Sequence, residues 1–157
     1  MPSLQETARI PRRIFSPIAP DYDRPAQILG LVQYRRWHRF LLSRLDGLPP
    51  GALVLDMATG TGAMALDLLE RPGVRVVGAD ITRPMLLRAQ GRANAARADL
   101  QLVECTAEAP PFPEGAFDAV ISGYLLRYVA DVPATLAGLS RLLKPGGTMA
   151  MLDFAVP

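Results

Sequence analysis

Apolar positions along the chain alternate between short continuous runs and sets at helical spacing. Leu53, Val54 and Leu55 make one short run. Val74–Ala79, Leu100–Glu104, Phe117–Ser122 and Thr148–Phe154 make four more. Runs of this length, bounded by turn residues, predict buried strands. Between them lie helical patterns. Ala26–Leu45 places Ile28, Leu31, Val32, Leu41, Leu42 and Leu45 at helical spacing. After Gly62 a helix carries Leu66, Leu68 and Leu69 on a largely apolar face. Thr82 stands as a cap before a helix over Arg83–Ala98, and Asp131 before one running through Leu143. Leu48-Pro49-Pro50-Gly51 turns into the first strand, Ala109–Gly115 is a loop, and Lys144-Pro145-Gly146-Gly147 ends the last helix sharply. Strands alternating with helices predict an α/β fold with a Rossmann-like parallel sheet and right-handed crossovers. The expected order is 3-2-1-4-5, with a ligand crevice between strands 1 and 4, where the order reverses. Residues 1–13 read as a flexible polar arm and 14–47 as a helical lid segment, its lead-in Ile14–Asp23 broken by Pro17 and Pro20. Residues 48–157 form the core, within one domain overall.

The first strand ends in an acid, Asp56, and runs into Ala58-Thr59-Gly60-Thr61-Gly62. Strand, tight small-residue turn and helix make a Rossmann-type opening, in which glycines let a ligand approach the backbone. Gly60-x-Gly62-x-x-Ala65 formally fits the dinucleotide fingerprint. Asp56 weighs against it, because a carboxylate at the strand tip would repel the pyrophosphate of NAD. S-adenosylmethionine carries an ammonium, a sulfonium and a ribose but no phosphate, and suits Asp56 better. A capping turn without any ligand is the third reading. Asp80, at the tip of the second strand, can accept from both ribose hydroxyls; alternatively it is an acid at a helix N-terminus.

Composition narrows the setting. The chain has 157 residues, half of them apolar and a fifth charged, as in an ordinary globular domain. A formal net charge of +2 gives no signal for nucleic-acid binding. Cys105 is the only cysteine, so no internal disulfide forms, and a reducing, cytoplasmic setting is expected. The N-terminus lacks the apolar core of a secretory signal, and no stretch reaches the length of a membrane span. No His/Cys/Asp cluster has metal spacing, so no metal is expected. Tyr34-Arg35-Arg36-Trp37-His38-Arg39-Phe40 mixes basic and aromatic residues, which reads as a lid, as a peripheral membrane contact, or as the solvated face of an amphipathic helix.

Several segments together resemble the class I S-adenosylmethionine-dependent methyltransferases, and more narrowly the ubiquinone/menaquinone biosynthesis C-methyltransferases. VLDMATGTG resembles that family's first motif, and GADIT with Met85-Leu86 its second. AEAPPFPEGAFD resembles A-E-x-L-P-F-x-x-x-x-F-D, and GYLLRYVAD resembles S-F-G-L-R-N-V. RLLKPGG and LDFAVP resemble R-V-L-K-P-G-G and L-E-F-x-x-P, and Tyr22-Asp23 and Trp37 fit the leading helices. The resemblance implies cofactor contacts from Asp56, Ala58, Thr59, Gly60, Gly62, Asp80, Ile81, Met85, Thr106, Ala107 and Gly123. Thr106 replaces the Asp or Asn that the family often uses for the adenine amino group. Gly123-Tyr124-Leu125 and Tyr128 depart from the family pattern on the acceptor side.

The implied chemistry is methyl transfer to a small aromatic or quinol acceptor, which needs positioning, water exclusion and loss of a phenol proton. Arg127 is expected to hold the phenolate by charge, with Tyr124, Asp153 and His38 as candidates to move the proton or orient the ring. A SAM-binding subunit without catalysis of its own is the alternative. The family continues past LDFAVP into strands that complete a larger sheet, whereas this sequence stops at Pro157. The fifth strand is therefore expected to leave an open edge, covered in a homodimer or by a second chain.

Overall fold

The computed structural model describes residues 12–14, 16, 17 and 31–153. The first helix, α1, spans Leu31–Ser43 and is followed by β1 at Leu53–Met57, α2 at Ala63–Leu69 and β2 at Arg75–Asp80. Then come α3 at Arg83–Ala96, β3 at Leu100–Glu104, β4 at Phe117–Gly123, a 3-10 turn at Leu126–Tyr128, α4 at Val132–Arg141 and β5 at Leu143–Leu152. The five strands are parallel neighbours in the order β3-β2-β1-β4-β5. This is the order that the alternation of strand and helix patterns predicts.

Strand alternation divides the core into two layers. Val54, Val76, Ala119, Ile121 and Ala150 face one side, where they pack with Leu41, Leu42 and Leu45 at the end of α1, Met64 and Leu68 of α2, and Ala89 and Ala93 of α3. Leu55, Met57, Val77, Ala79 and Val120 face the other side, with Leu139 of α4, Leu142 and Phe117. Successive side chains of a strand point to opposite faces. Asp56 therefore shares the face of Val54, toward α2. Asp80 likewise shares the face of Val76.

Three element ends differ from the sequence reading. Residues 1–11, the lead-in at 18–23 with Tyr22-Asp23, the start of the expected helix at 26–30, and 154–157 lie outside the described residues. Arg12 and Arg13, read as part of a polar arm, are helical instead, and Arg12 Nε donates to the Ile81 carbonyl at 3.1 Å. α3 stops at Ala96, because Arg97 turns into the left-handed region (φ 54°) and Ala98 N–H closes back onto the Ala93 carbonyl.

The third difference is at Lys144–Gly147. α4 begins as expected, with Asp131 accepting from the Ala134 N–H at 2.9 Å, but it ends at Arg141. Lys144-Pro145-Gly146-Gly147 is not a stop between elements but part of β5. Phe117 pairs with Leu143 and Ala119 with Thr148, so residues 144–147 bulge out of the ladder. Lys144 Nζ reaches Asp118 Oδ2 at 2.8 Å, and the same oxygen accepts from the Leu53 N–H at 2.8 Å. The bulge thus ties β5, β4 and β1 together at their N-terminal ends.

At Gly147 a Cβ would stand 2.9 Å from the Lys144 carbonyl oxygen and 3.1 Å from that of Asp118. Neither backbone atom can swing aside as a side chain can. Gly147→Ala is expected to lower stability by about 1–3 kcal/mol, the usual cost of overpacking. Thermal unfolding of the variant beside the wild type checks this.

Candidate functional site

The C-terminal tips of β1, β2 and β4 meet where the strand order reverses. Pairing between β1 and β4 runs as far as Asp56 with Ile121. Beyond it, Ser122 Oγ donates to the Met57 carbonyl, so one side chain continues the contact where the ladder stops. The loop leaving β1 then turns sharply. Ala58, Gly60 and Gly62 all have positive φ (61°, 56° and 79°). The two glycines serve different purposes. A Cβ on Gly62 would come within 3.1 Å of the Ala89 Cβ, so this glycine lets α3 pack against the loop. A Cβ on Gly60 would meet nothing within 4 Å, so this glycine borders open space at the strand tips.

Asp56 lies beneath this loop with no solvent exposure. Thr59 Oγ1 donates to its Oδ2 at 2.7 Å, while Oδ1 is buried with no hydrogen-bond partner. Burial pushes the carboxyl up to about 7, with a smaller upward push from the neighbouring Asp80 charge. The Thr59 hydroxyl and the nearby Ala65 N–H oppose the rise. A buried acceptor left without a donor is costly and rare. Asp56 Oδ1 is thus an acceptor that the chain's own groups leave unmet, beneath a loop whose Gly60 borders open space.

Asp80 is held differently. Its Oδ2 accepts from the Gly60 N–H at 2.9 Å and its Oδ1 from the Thr82 N–H at 2.7 Å. Burial raises its pKa against the pull of these hydrogen bonds. The Thr82 side chain makes no cap bond on α3, and its N–H donates to Asp80. Each carboxylate oxygen has a further lone pair, so Asp80 can fix the loop and still accept from hydroxyls.

The remaining cofactor candidates lie around the same tips. Ile81 follows Asp80, and Met85 is buried in the first turns of α3. Cys105 N–H bonds to the Asp80 carbonyl, which places Thr106 and Ala107 directly after the β3 tip. Thr106 Oγ1 accepts from the Ala109 N–H at 3.2 Å, leaving its own O–H to donate, and Ala107 is buried. Gly123 ends β4, where a Cβ would stand 3.1 Å from Met64 Cε. Burial, then the Asp80 charge, drives the Cys105 thiol up to about 11, so it stays a neutral packing group.

Of the four catalytic candidates, three are brought together past the ends of β4 and β5. Tyr124 has φ 62°, a strained value for a bulky residue, and its N–H bonds to the Leu152 carbonyl at 2.7 Å. Asp153 Oδ2 accepts from the Leu126 N–H at 2.7 Å, and its Oδ1 stands 3.3 Å from Arg127 Nη2. The fourth, His38, is buried on α1 rather than at a strand tip. Burial lowers its pKa to about 4, so the imidazole is neutral at physiological pH.

Two residues at the site escaped the sequence reading. Gly78 faces Asp56 across the β1–β2 ladder, and a Cβ there would stand 3.0 Å from Thr59 Cγ2. It leaves room for the threonine that binds Asp56. A glycine inside a strand pattern was the available signal. Arg92 of α3 donates to the Thr61 carbonyl and hydroxyl at 3.2 and 2.9 Å, bracing the loop. Nothing local in the sequence marks it.

Residues 3–157 match the ubiE/COQ5 methyltransferase family. A demethylmenaquinone methyltransferase of Thermus thermophilus is 43% identical over 146 residues, which are 92% of this chain and 66% of that protein. A ubiquinone/menaquinone biosynthesis C-methyltransferase, UbiE, of Desulfotalea psychrophila is 40% identical over 147 residues, 92% of this chain and 58% of that protein. The chain thus spans less than two thirds of the length of these relatives. Among solved structures, the geranyl diphosphate C-methyltransferase of Streptomyces coelicolor, in complex with Mg2+, geranyl diphosphate and S-adenosyl-L-homocysteine, superposes with a TM-score of 0.70. It is 26% identical and covers 75% of this chain and 45% of its own.

The buried Asp56 makes stability depend on pH. Its folded value, about 7, lies above the ordinary 3.8, so the fold penalises the ionised form. Its contribution is therefore most favourable below pH 3.8, declines as pH rises, and levels off above about 7. Asp56→Asn removes that titration. Wild type should lose up to about 4 kcal/mol relative to the variant between these limits, at 1.36 kcal/mol per unit. Denaturant unfolding of both proteins at pH 4, 5.5 and 7.5 (about these values) measures the difference. Parallel curves would show that Asp56 is already compensated.

Proposed function

The chain belongs to the ubiE/COQ5 methyltransferase family, and on that premise we propose that it binds S-adenosylmethionine at the β1–β4 crevice. There it would direct a methyl group to a carbon of a small aromatic or quinol-type acceptor. The observation that carries the cofactor reading is Asp56, fully buried at the β1 tip with an orphaned Oδ1, beneath a loop whose Gly60 borders open space. A phosphate-bearing dinucleotide would meet this carboxylate with like charge. An ammonium supplies both the missing donor and the missing charge. The residues present therefore fit the cofactor. Asp56 would hold its amino-acid part and Asp80 its ribose, with Ile81, Met85, Thr106 and Ala107 around its base.

Bound S-adenosylmethionine supplies an electrophilic methyl group on a sulfonium. The chain's own residues supply positioning and proton control. The ion pair of Arg127 with Asp153, fixed by the Leu126 N–H, presents a cation and a carboxylate side by side at the acceptor end. Asp153 can accept the proton of an acceptor phenol, and Arg127 then steadies the phenolate. Tyr124, held in its strained conformation, orients the ring. His38, neutral with a pKa near 4, is a weak base at neutral pH and is assigned to packing rather than proton transfer. The named activities of the longer relatives, demethylmenaquinone and ubiquinone/menaquinone biosynthesis methylation, support a quinol as the acceptor.

Calorimetry with S-adenosylhomocysteine and with NAD tests the cofactor reading: only the former should bind. Asp80→Ala should weaken that binding by about 1.5–3 kcal/mol, the scale of hydrogen bonds to a charged group. Arg127→Ala should instead lower turnover of a quinol acceptor with cofactor affinity unchanged within a few-fold. Binding of NAD alone would overturn the reading, and a collapse of cofactor affinity in Arg127→Ala would move that residue to the other end of the crevice. For the assembly, we propose that a second copy or another chain lies along β5, an edge strand of the described sheet. Light scattering showing an active monomer at micromolar concentration would exclude it.

A further inference from the structure

We propose that the outer face of α1 docks on an anionic lipid surface. The helix is amphipathic in a specific way. At about 100° per residue, His38, Leu41, Leu42 and, just beyond the helix, Leu45 fall on one side. All four are buried, the three leucines within the core layer. Arg36, Arg39, Phe40 and Ser43 fall on the opposite side, and all four are exposed. Phe40 keeps 60% of its surface in solvent.

Charge gives this face its direction. α1 contains no acidic residue. Arg36 and Arg39 form neither an ion pair nor a hydrogen bond among the described residues, so both guanidinium groups are available. Arg44 extends the patch, its guanidinium 4.3 Å from the centroid of the Phe40 ring. The nearest acid in sequence, Asp46, is already engaged with Arg71 at 3.2 Å. The patch thus brings an exposed aromatic ring and three arginines onto one face of a helix that carries no acid of its own.

Two kinds of polyanion could meet such a face. A nucleic acid needs an extended basic track, whereas this chain as a whole carries only +2. A lipid surface needs a compact patch: a ring that enters the boundary of the acyl chains, and arginines whose stems lie alongside while their heads reach phosphates. The α1 face has the second form. No helix among the described residues is long and apolar enough to cross a membrane, so the contact is peripheral. The inference stands apart from the cofactor reading, since it concerns the opposite side of α1 from the core.

Co-sedimentation of the full chain with vesicles tests it. Binding is expected to vesicles of phosphatidylcholine containing phosphatidylglycerol and not to phosphatidylcholine alone. It should be released at about 0.5 M salt, where screening is nearly complete. The double variant R36E/R39E should lower the partition coefficient about tenfold or more. F40S should lower it several-fold, from loss of the apolar anchor. All three residues are exposed, so unfolding curves and S-adenosylhomocysteine binding should match wild type, which separates failure of docking from failure of the fold. Wild-type affinity in R36E/R39E, or equal binding to uncharged vesicles, would overturn the proposal. So would binding to a single-stranded RNA that those substitutions abolish, without any vesicle binding.

Discussion

One buried carboxylate constrains the middle of this molecule. Asp56 is removed from water at the tip of the central strand, and its surroundings satisfy one oxygen and not the other. Desolvation of an acid is among the larger unfavourable terms a fold can carry. It persists here because the neighbouring parts serve it in turn. Thr59 donates to Asp56, and Thr59 has room only because residue 78, opposite on β2, has no side chain. The Gly60 N–H is meanwhile occupied by Asp80 rather than by Asp56. Two acids thus sit on the same face of adjacent strands in different states, Asp80 with both oxygens bonded to backbone N–H groups and Asp56 with one oxygen unmet.

The sheet order sets where these acids lie. With β1 in the centre and β4 on its far side, the loops after β1 and β4 diverge toward opposite faces and leave a crevice at the reversal. The bulge at 144–147 lets β5 run in register with the tip of β4, Gly123 pairing with Leu152. That register delivers Asp153 beside Leu126 and Arg127. The placement of Asp153 beside Arg127 therefore depends on an irregularity at the opposite end of the sheet, where Lys144 and Asp118 hold the bulge closed.

The parts that sequence made legible were those whose signal is local. Apolar runs ending in acids marked β1 and β2, and a small-residue turn marked the loop between β1 and α2. The Asp131 cap follows from its spacing to the Ala134 N–H. What was not legible depends on partners distant in the chain. Lys144-Pro145-Gly146-Gly147 has the composition of a helix stop, yet the pairing of Leu143 and Thr148 on either side of it with β4 makes it a bulge inside a strand. Thr82 has the right chemistry to cap α3, yet its side chain makes no cap bond, while its own N–H is given to Asp80. Arg92 lies on a helix face where an arginine is ordinary, and only the fold shows that it braces Thr61. The two tip acids looked alike in sequence; their hydrogen-bond partners separate them.

The ends of β4 and β5 show how contact changes the meaning of a charge. Alone, Arg127 would bring a full positive charge to the crevice and favour any anion there. Paired with Asp153, it brings a dipole whose negative end is held by the Leu126 N–H and whose positive end is 42% exposed at the side-chain level. Such a pair acts on a neighbouring hydroxyl group less by total charge than by geometry. A neutral phenol meets an acceptor oxygen, and a phenolate meets a donor. An enzyme that must first take a proton and then hold the resulting anion needs both groups within one side chain's reach of each other. Arg127 and Asp153 stand 3.3 Å apart, a cation and a carboxylate within such reach.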